Sequence, residues 1–440
     1  MSAPEIHVGL DIGTTKVSAV VTSFDPTKNR VEILGTGTSE CDGLKRGVVT
    51  NITKTAEAIR SAIERAEQQS GYEIRRVVIG VSGEHIATFT TRGIVTTRTS
   101  EISAEDVRRL HEELRQVHVT ADRRILHVIP QDYIIDGQDG ISDPLGMSGR
   151  RLEANALVIT ASASAIENVY KCAERAGLHV DAVVLQSIAS AMAVLDEAER
   201  DVGVALVDIG GGTTDIAMYK DNVLRAVSVI GLAGQRVTDD IVTVLGIRSN
   251  DAEEIKVEHG HAISESILRD EHFQVPGVGG RRATELSKSI LCQVIEPRME
   301  EIFEFVMQRI HDSGLSHQLA AGIVITGGGA DLRGCDMLAQ RTFRLPVNKG
   351  LPRGFSHDGL AREVTTPAHA TAVGLAMYSI EHEDEFQQVH SDQPVAAARQ
   401  QQHQQTQQQQ QTVAHPPQQS EEPAPKRGLL QGVKDWFENL

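Results

Sequence analysis

The sequence predicts an α/β protein of two similar lobes closing on one phosphate-binding cleft, with an inserted α+β subdomain, a disordered linker and a C-terminal amphipathic helix. Three observations carry this. A strand–glycine–strand pattern occurs at Val207-Asp208-Ile209-Gly210-Gly211-Gly212-Thr213-Thr214-Asp215 and again at Val8-Gly9-Leu10-Asp11-Ile12-Gly13-Thr14-Thr15-Lys16. A further apolar strand, Gly322-Ile323-Val324-Ile325-Thr326, runs into Gly327-Gly328-Gly329-Ala330-Asp331. From Gln387 onward the composition turns to Gln, Pro, Ala and His, ahead of a short segment with one apolar face.

Each Asp-Ile-Gly stretch follows an apolar run and precedes another, so each reads as a β-hairpin around a glycine cluster. Glycines let backbone N–H groups wrap an anion with no Cβ in the way, and threonine hydroxyls add donors. An aspartate at the strand end can hold a metal-bound water beside the phosphates. Lys16 adds a charge suited to the β- and γ-phosphates, which the second loop lacks. Two related hairpins so far apart in the chain imply two lobes, each bringing one loop to a shared cleft. Neither the Gly-x-Gly-x-x-Gly spacing of a dinucleotide fold nor a Walker-type loop occurs.

Charge and composition exclude several classes. A formal net charge of −17 argues against a general nucleic-acid binder and implies repulsion from an anionic membrane, so any lipid contact must be local. Cys41, Cys172, Cys292 and Cys335 are too scattered for a zinc or redox pair and are expected to be reduced thiols of a cytosolic protein. The N-terminus lacks a basic, apolar leader, and no stretch of about 18 apolar residues suggests a membrane span.

In chain order, residues 53–70 carry helical periodicity through Ala56, Ile59, Ala62, Ile63 and Ala66, and Val77–Ser82 reads as a buried strand. Residues 84–160 change texture: short alternating segments flank a charged helix, Ser103–Val117, with a capping serine and early acids. Residues 1–83 and 161–206 then make the first lobe, with 84–160 inserted. A helix over Ser164–Ala176 ends at Gly177. Gln186 precedes a helix of small residues, Ile188–Leu195, which suggests close packing. Residues 207–246 and 321–383 make the second lobe and 247–320 its tip. A helix opens at Gly231–Gly234, and residues 251–260 form another that puts Glu253 and Lys256 on one face. The long helix Thr284–Asp312 should kink or break at Pro297. The triple glycine should lead into a helix over Leu332–Arg341, whose first N–H groups favour an anion.

Residues 384–427 cannot build a core and read as a Gln-rich linker. About 40 such residues span roughly 35 Å root-mean-square. In 428–440 the residues Leu429, Leu430, Val433, Trp436, Phe437 and Leu440 fall on one helical face, beside Lys426 and Arg427. An interfacial membrane helix is the expectation, with docking on the chain's own core the alternative.

In these motifs the chain resembles the actin/Hsp70/sugar-kinase superfamily. Asp11–Lys16, Asp208–Asp215 and Thr326–Ala330 look like its phosphate-1, phosphate-2 and adenosine motifs. Within it, the insert, the terminal helix after a linker, and the stretches Leu126-His127-Val128-Ile129-Pro130-Gln131 and Ile295-Glu296-Pro297-Arg298 resemble the FtsA family of bacterial cell-division proteins. The resemblance implies an actin-like fold that binds ATP and Mg2+ and hydrolyses ATP weakly at most. It implies protofilaments on the cytoplasmic face of the inner membrane at the division site, anchoring the tubulin-like FtsZ of the Z-ring and recruiting late division proteins. Asp11 and Asp208 would sit near the magnesium. Gly13, Thr14, Thr15 and Lys16, with Gly210, Gly211, Gly212, Thr213 and Thr214, would hold phosphates. Gly327, Gly328 and Gly329 would lie at adenosine, Glu253 and Lys256 at ribose and base, and Gln186 would orient the attacking water. The insert would bind neighbours and late division proteins, and the second-lobe tip FtsZ. A small-molecule kinase would share the nucleotide motifs but would have no use for a terminal amphipathic helix. An Hsp70-like chaperone would continue into a β-rich domain. The Trp436 helix weighs against the actin-like scaffold of pilus assembly.

Overall fold

Two five-stranded sheets with one strand order organise the chain. In the first, His179–Leu185, Arg76–Val81, Ile6–Ile12, Lys16–Asp25 and Arg30–Glu40 lie side by side. In the second the corresponding order is Val347–Lys349, Gly322–Thr326, Val204–Ile209, Thr214–Lys220 and Val223–Ile230. Each opens with the antiparallel hairpin and adds parallel strands beyond its first strand. The hairpins share a register: Asp11 pairs with Ser18 and Asp208 with Asp215. The central strands are buried throughout, as parallel strands covered on both faces must be, which is why they read as continuous apolar runs. The computed structural model describes residues 5–26, 30–280, 282–356, 359–384 and 386. These belong almost entirely to the unit Met1–Glu383. Nearly all of the linker and the whole 428–440 segment, with Leu429, Leu430, Val433, Trp436, Phe437 and Leu440, lie outside the described residues.

Glycine sets how closely the layers approach. Helix Ile52–Ser70, capped by Asn51, lies on the first sheet, where a Cβ on Gly37 would come within 2.0 Å of the Ala62 carbonyl oxygen. On the other face Gly9 meets helix Ala370–Glu381, with 2.2 Å from a built Cβ to the Ala372 oxygen. That helix crosses Gln186–Val194 in backbone contact, since a Cβ on Gly374 would sit 1.8 Å from the Ala189 oxygen. The small-residue helix therefore packs closely, as its composition suggests, but it starts at Gln186 rather than Ile188.

The insert is a four-stranded sheet ordered Ala87–Thr96, Arg151–Ser162, Arg123–Ile135 and Gln138–Ile141. It packs on helix Ala104–Arg115, which is opened by a Ser103/Asp106 capping box. Ile102, Leu110, Leu114, Leu152 and Ala154 fill its private core. Leu157 and Ile159 join a different cluster, with Tyr219, Leu224 and Val227 of the second sheet. The insert thus touches both lobes.

Three local expectations are corrected. Of the kink or break expected at Pro297, the break does not occur, since helix Lys288–Asp312 continues through it. A proline there costs about 3 kcal/mol, but Ile295, Met299, Ile302, Phe303, Val306 and Ile310 are buried along one face at roughly 1.5–3 kcal/mol each. The residues just before it, Thr284–Ser287, form a strand paired with His272–Val275. The triple glycine enters a single 3-10 turn, Gly328–Asp331, and the α-helix begins only at Cys335 because Gly334, at φ +73°, turns the chain first.

Candidate functional site

The two hairpin tips meet each other. Gly13 N–H bonds the Lys16 carbonyl (2.9 Å) and Gly210 N–H the Thr213 carbonyl (2.9 Å), so both loops close by the same turn. A Cβ on Gly212 would lie 2.2 Å from Thr14 Oγ1, and one on Gly211 2.6 Å from Thr15. Gly327, at φ +83°, passes Asp208 so closely that a Cβ would stand 2.2 Å from its Oδ1. The three motifs, dispersed in the sequence, therefore enclose one cleft of about 370 Å³.

Asp11, Gly13, Thr14, Thr15, Lys16, Gln186, Asp208, Gly210, Gly211, Gly212, Thr213, Glu253, Lys256, Gly327, Gly328 and Gly329 all line it. Thr214 does not. As the first residue of its strand it faces the other side of the hairpin, and its hydroxyl donates to the Leu232 carbonyl (2.8 Å). The expected anion-binding helix start behind Gly327 is absent too, since only the 3-10 turn follows.

Electrostatics single out the inner end. Asp11 and Asp208 are nearly buried, at 8% and 6% exposure, and so is Asp215 at 3%. Burial pushes the Asp11 carboxyl up to about 7; the Lys16 ammonium opposes this, Asp208 adds to it, and the Gln186 amide (Nε2 to Oδ1, 2.7 Å) opposes it. Burial likewise raises Asp208, against hydrogen bonds from Ser190 and Thr371 (3.1 Å). Asp215 reaches about 7, chiefly through burial, while accepting from Ser82 and from Thr213 (2.9 Å). Burial also lowers Lys16, whose ammonium donates to the Ala368 carbonyl (2.7 Å). Asp11, Asp208 and Asp331 act on the Lys16 ammonium, and Asp208 and Asp11 act on Asp215, so acidic groups outnumber the one lysine and a cation would favour their ionised forms. Among the described residues no three acids, histidines or cysteines stand close enough to ligate an ion directly. The donor set fits a cation held through waters and phosphate oxygens rather than in a protein cage.

At the outer end Lys256 Nζ bridges Glu253 (2.7 Å), Thr238 (2.9 Å) and the Gly234 carbonyl (3.1 Å). Val237, Val257, Met299 and Leu332 add apolar wall. Sequence reading passed over Ser82, Ser190 and Thr371, which hold the acids. Ser82 could have been found as the polar end of a buried strand, whereas Ser190 and Thr371 sit in helices with no local signal. The four cysteines are buried free thiols.

The FtsA family model, described as cell division protein FtsA, matches residues 205–374, and a model for the SHS2 domain inserted in FtsA matches 83–160. The chain is 42% identical to the cell division protein FtsA of Pseudomonas aeruginosa over 86% of its own length and 90% of that protein. The chain belongs to the FtsA family. The FtsA of Escherichia coli K12 is 40% identical over 86% of this chain and 91% of its own length. The family's actin-like fold shows in solved structures of low identity. A PilM–PilN type IV pilus biogenesis complex matches with a TM-score of 0.61 at 18% identity, covering 85% of this chain and 98% of that one. An MreB5 of Spiroplasma citri bound to ADP matches with 0.52 at 15% identity, covering 87% and 98%. Membership in the FtsA family makes this a cell-division protein and sets aside the kinase, chaperone and pilus-scaffold readings.

Proposed function

We propose that this FtsA-family protein binds Mg-ATP in the cleft between its hairpins and polymerises on the cytoplasmic face of the inner membrane. There it ties FtsZ to lipid at the division site and recruits late division proteins. The observation that carries the nucleotide reading is the convergence of Gly13–Lys16, Gly210–Thr213 and Gly327–Gly329 on one cleft with Lys16 and three buried acids at its inner end. In this reading Lys16 and the two glycine turns bind phosphates. Gly327–Gly329 and the Glu253–Lys256 pair bind the nucleoside. Asp11 and Asp208 hold the cation through water. The cation, when bound, screens phosphate charge. Gln186, fixed by its bond to Asp11, offers its carbonyl oxygen to a water near the terminal phosphate.

The membrane reading rests on the sequence of 428–440. Six apolar side chains supply at most roughly 1.5–3 kcal/mol each, less the cost of ordering a segment too short to be helical in water. One anchor is therefore weak and reversible, and many on one polymer hold through effective concentration. The support for polymerisation is this arithmetic together with the actin-like fold. Residues 247–320 are proposed to meet FtsZ and 84–160 to meet neighbouring subunits and later division proteins.

Two measurements test the proposal. Deleting 428–440 abolishes sedimentation with anionic phospholipid vesicles while ATP binding persists; unchanged co-sedimentation sinks the anchor. Asp208→Ala lowers Mg-ATP affinity at least tenfold in calorimetry, and equal affinity removes Asp208 from the site.

A further inference from the structure

The central strand of the insert, Arg123–Ile135, reaches beyond its own sheet. At one end Asp132 takes Arg225 of the second sheet bidentately (3.0 and 3.1 Å), and Gln131 Nε2 donates to the Leu224 carbonyl (3.0 Å). Between these and the strand's start, His127 Nε2 lies 3.1 Å from the backbone nitrogen of Leu185. Leu185 ends the outermost strand of the first sheet and stands as N-cap of the helix that begins with Gln186. A leucine has no side chain with which to cap a helix, and this one makes no side-chain cap bond. The outward N–H of an edge strand needs a partner once it is covered. The insert supplies it as an imidazole nitrogen. To accept there, the ring must be neutral with its proton on Nδ1. Burial keeps it so, holding the imidazole down at about 4.

The next residue is Gln186. Its stem lies over Gly80, where a Cβ would stand 2.9 Å from Gln186 Cγ, and its amide donates to Asp11 (2.7 Å). The Gln186 side chain is thus fixed from two sides, Gly80 beneath it and Asp11 ahead of it, while His127 holds the backbone one residue before it at the Leu185 N–H. We propose that His127 is a positioning residue: by accepting the Leu185 N–H, it sets where the Gln186 amide meets Asp11 and so links the insert to the phosphate end of the cleft. This rests on the nucleotide reading for its consequence in turnover, but not for its geometry. Whatever grips the insert then pulls on the residue that addresses the attacking water.

The experiment uses the full chain and three substitutions. His127→Phe keeps ring volume and loses the acceptor, whereas His127→Gln restores an acceptor oxygen. The first readout is the Gln186 side-chain amide resonance in glutamine-labelled protein, identified by its loss in Gln186→Ala. It shifts in His127→Phe and returns to the wild-type position in His127→Gln. An unmoved resonance in His127→Phe overturns the proposal. The second readout is single-turnover ATP hydrolysis beside ADP affinity. His127→Phe slows hydrolysis about tenfold with ADP affinity unchanged, His127→Gln recovers it, and in a Gln186→Ala background His127→Phe has no further effect. A full additional loss in that background, or an equal loss of ADP affinity, makes His127 merely structural and overturns the proposal. If wild-type protein hydrolyses no ATP, the hydrolytic role proposed for Gln186 fails by itself, and the amide resonance still decides His127. If His127→Phe does not fold, His127→Ala carries the same readouts.

Discussion

Replacing Asp215 by asparagine should stabilise the nucleotide-free protein at pH 8 and leave it nearly unchanged at pH 5. Asp215 is buried beside Asp208 and Asp11, and its carboxyl is raised from 3.8 to about 7. At about 1.4 kcal/mol per pH unit, ionising it inside the fold costs about 4 kcal/mol. The sign follows from proton binding. Between pH 4 and 7 the folded state keeps a proton that the unfolded chain has released, so stability falls as pH rises and the whole penalty is present above about pH 7. Asparagine removes the charge but turns an NH2 toward one of the hydroxyls of Ser82 and Thr213 that now donate to the carboxylate, at a cost of about 1 kcal/mol. The net gain is about 3 kcal/mol at pH 8 and under about 1 kcal/mol at pH 5, where the wild-type penalty is only about 2 kcal/mol. For a folded unit spanning Met1–Glu383 that is a rise in Tm of about 3–4 °C at pH 8. Scanning calorimetry at both pH values, without nucleotide, makes the comparison. Equal destabilisation at pH 5 and pH 8 would refute the reasoning, because the charge would then carry no burial penalty.

Two glycine substitutions probe the packing that makes the cleft. Gly327→Ala adds about 1–3 kcal/mol of backbone strain, because φ +83° with ψ 167° is open essentially to glycine alone, and drives a Cβ into Asp208, so ADP affinity should fall at least tenfold in titration calorimetry, and wild-type affinity would contradict the geometry. Gly374→Ala forces apart two helices in backbone contact at Ala189, and the urea midpoint should drop by the equivalent of about 1–3 kcal/mol.

The phosphate hairpins were legible because both signals are local: apolar runs fix the strands, and glycine with aspartate fixes the turn between them. Thr214 shows the limit of that reading. Strand alternation points it away from Thr213 and Asp215, and one residue of register decided between a ligand and a backbone anchor. Pro297 shows another, since burial along one helix face outweighed a local breaker. Helix Gln186–Val194 read correctly as small and close-packed, yet nothing in its composition revealed that Ser190 faces Asp208.

By itself the sequence determined the strands, the paired glycine loops, the insert's boundaries in texture, and an apolar face at 428–440, because periodicity and composition record local backbone preference and solvent exposure. Only the tertiary structure decided what those pieces meet. Charge interactions depend on distance and burial, not on position in the chain. Asp11, Asp208 and Asp215 became one buried acidic cluster, with Lys16 acting on Asp11 and Asp208, only when two lobes closed hairpin tip to hairpin tip. Packing of the insert on the first sheet brought His127 to the edge strand just before Gln186, a contact between residues 58 apart that no local pattern encodes.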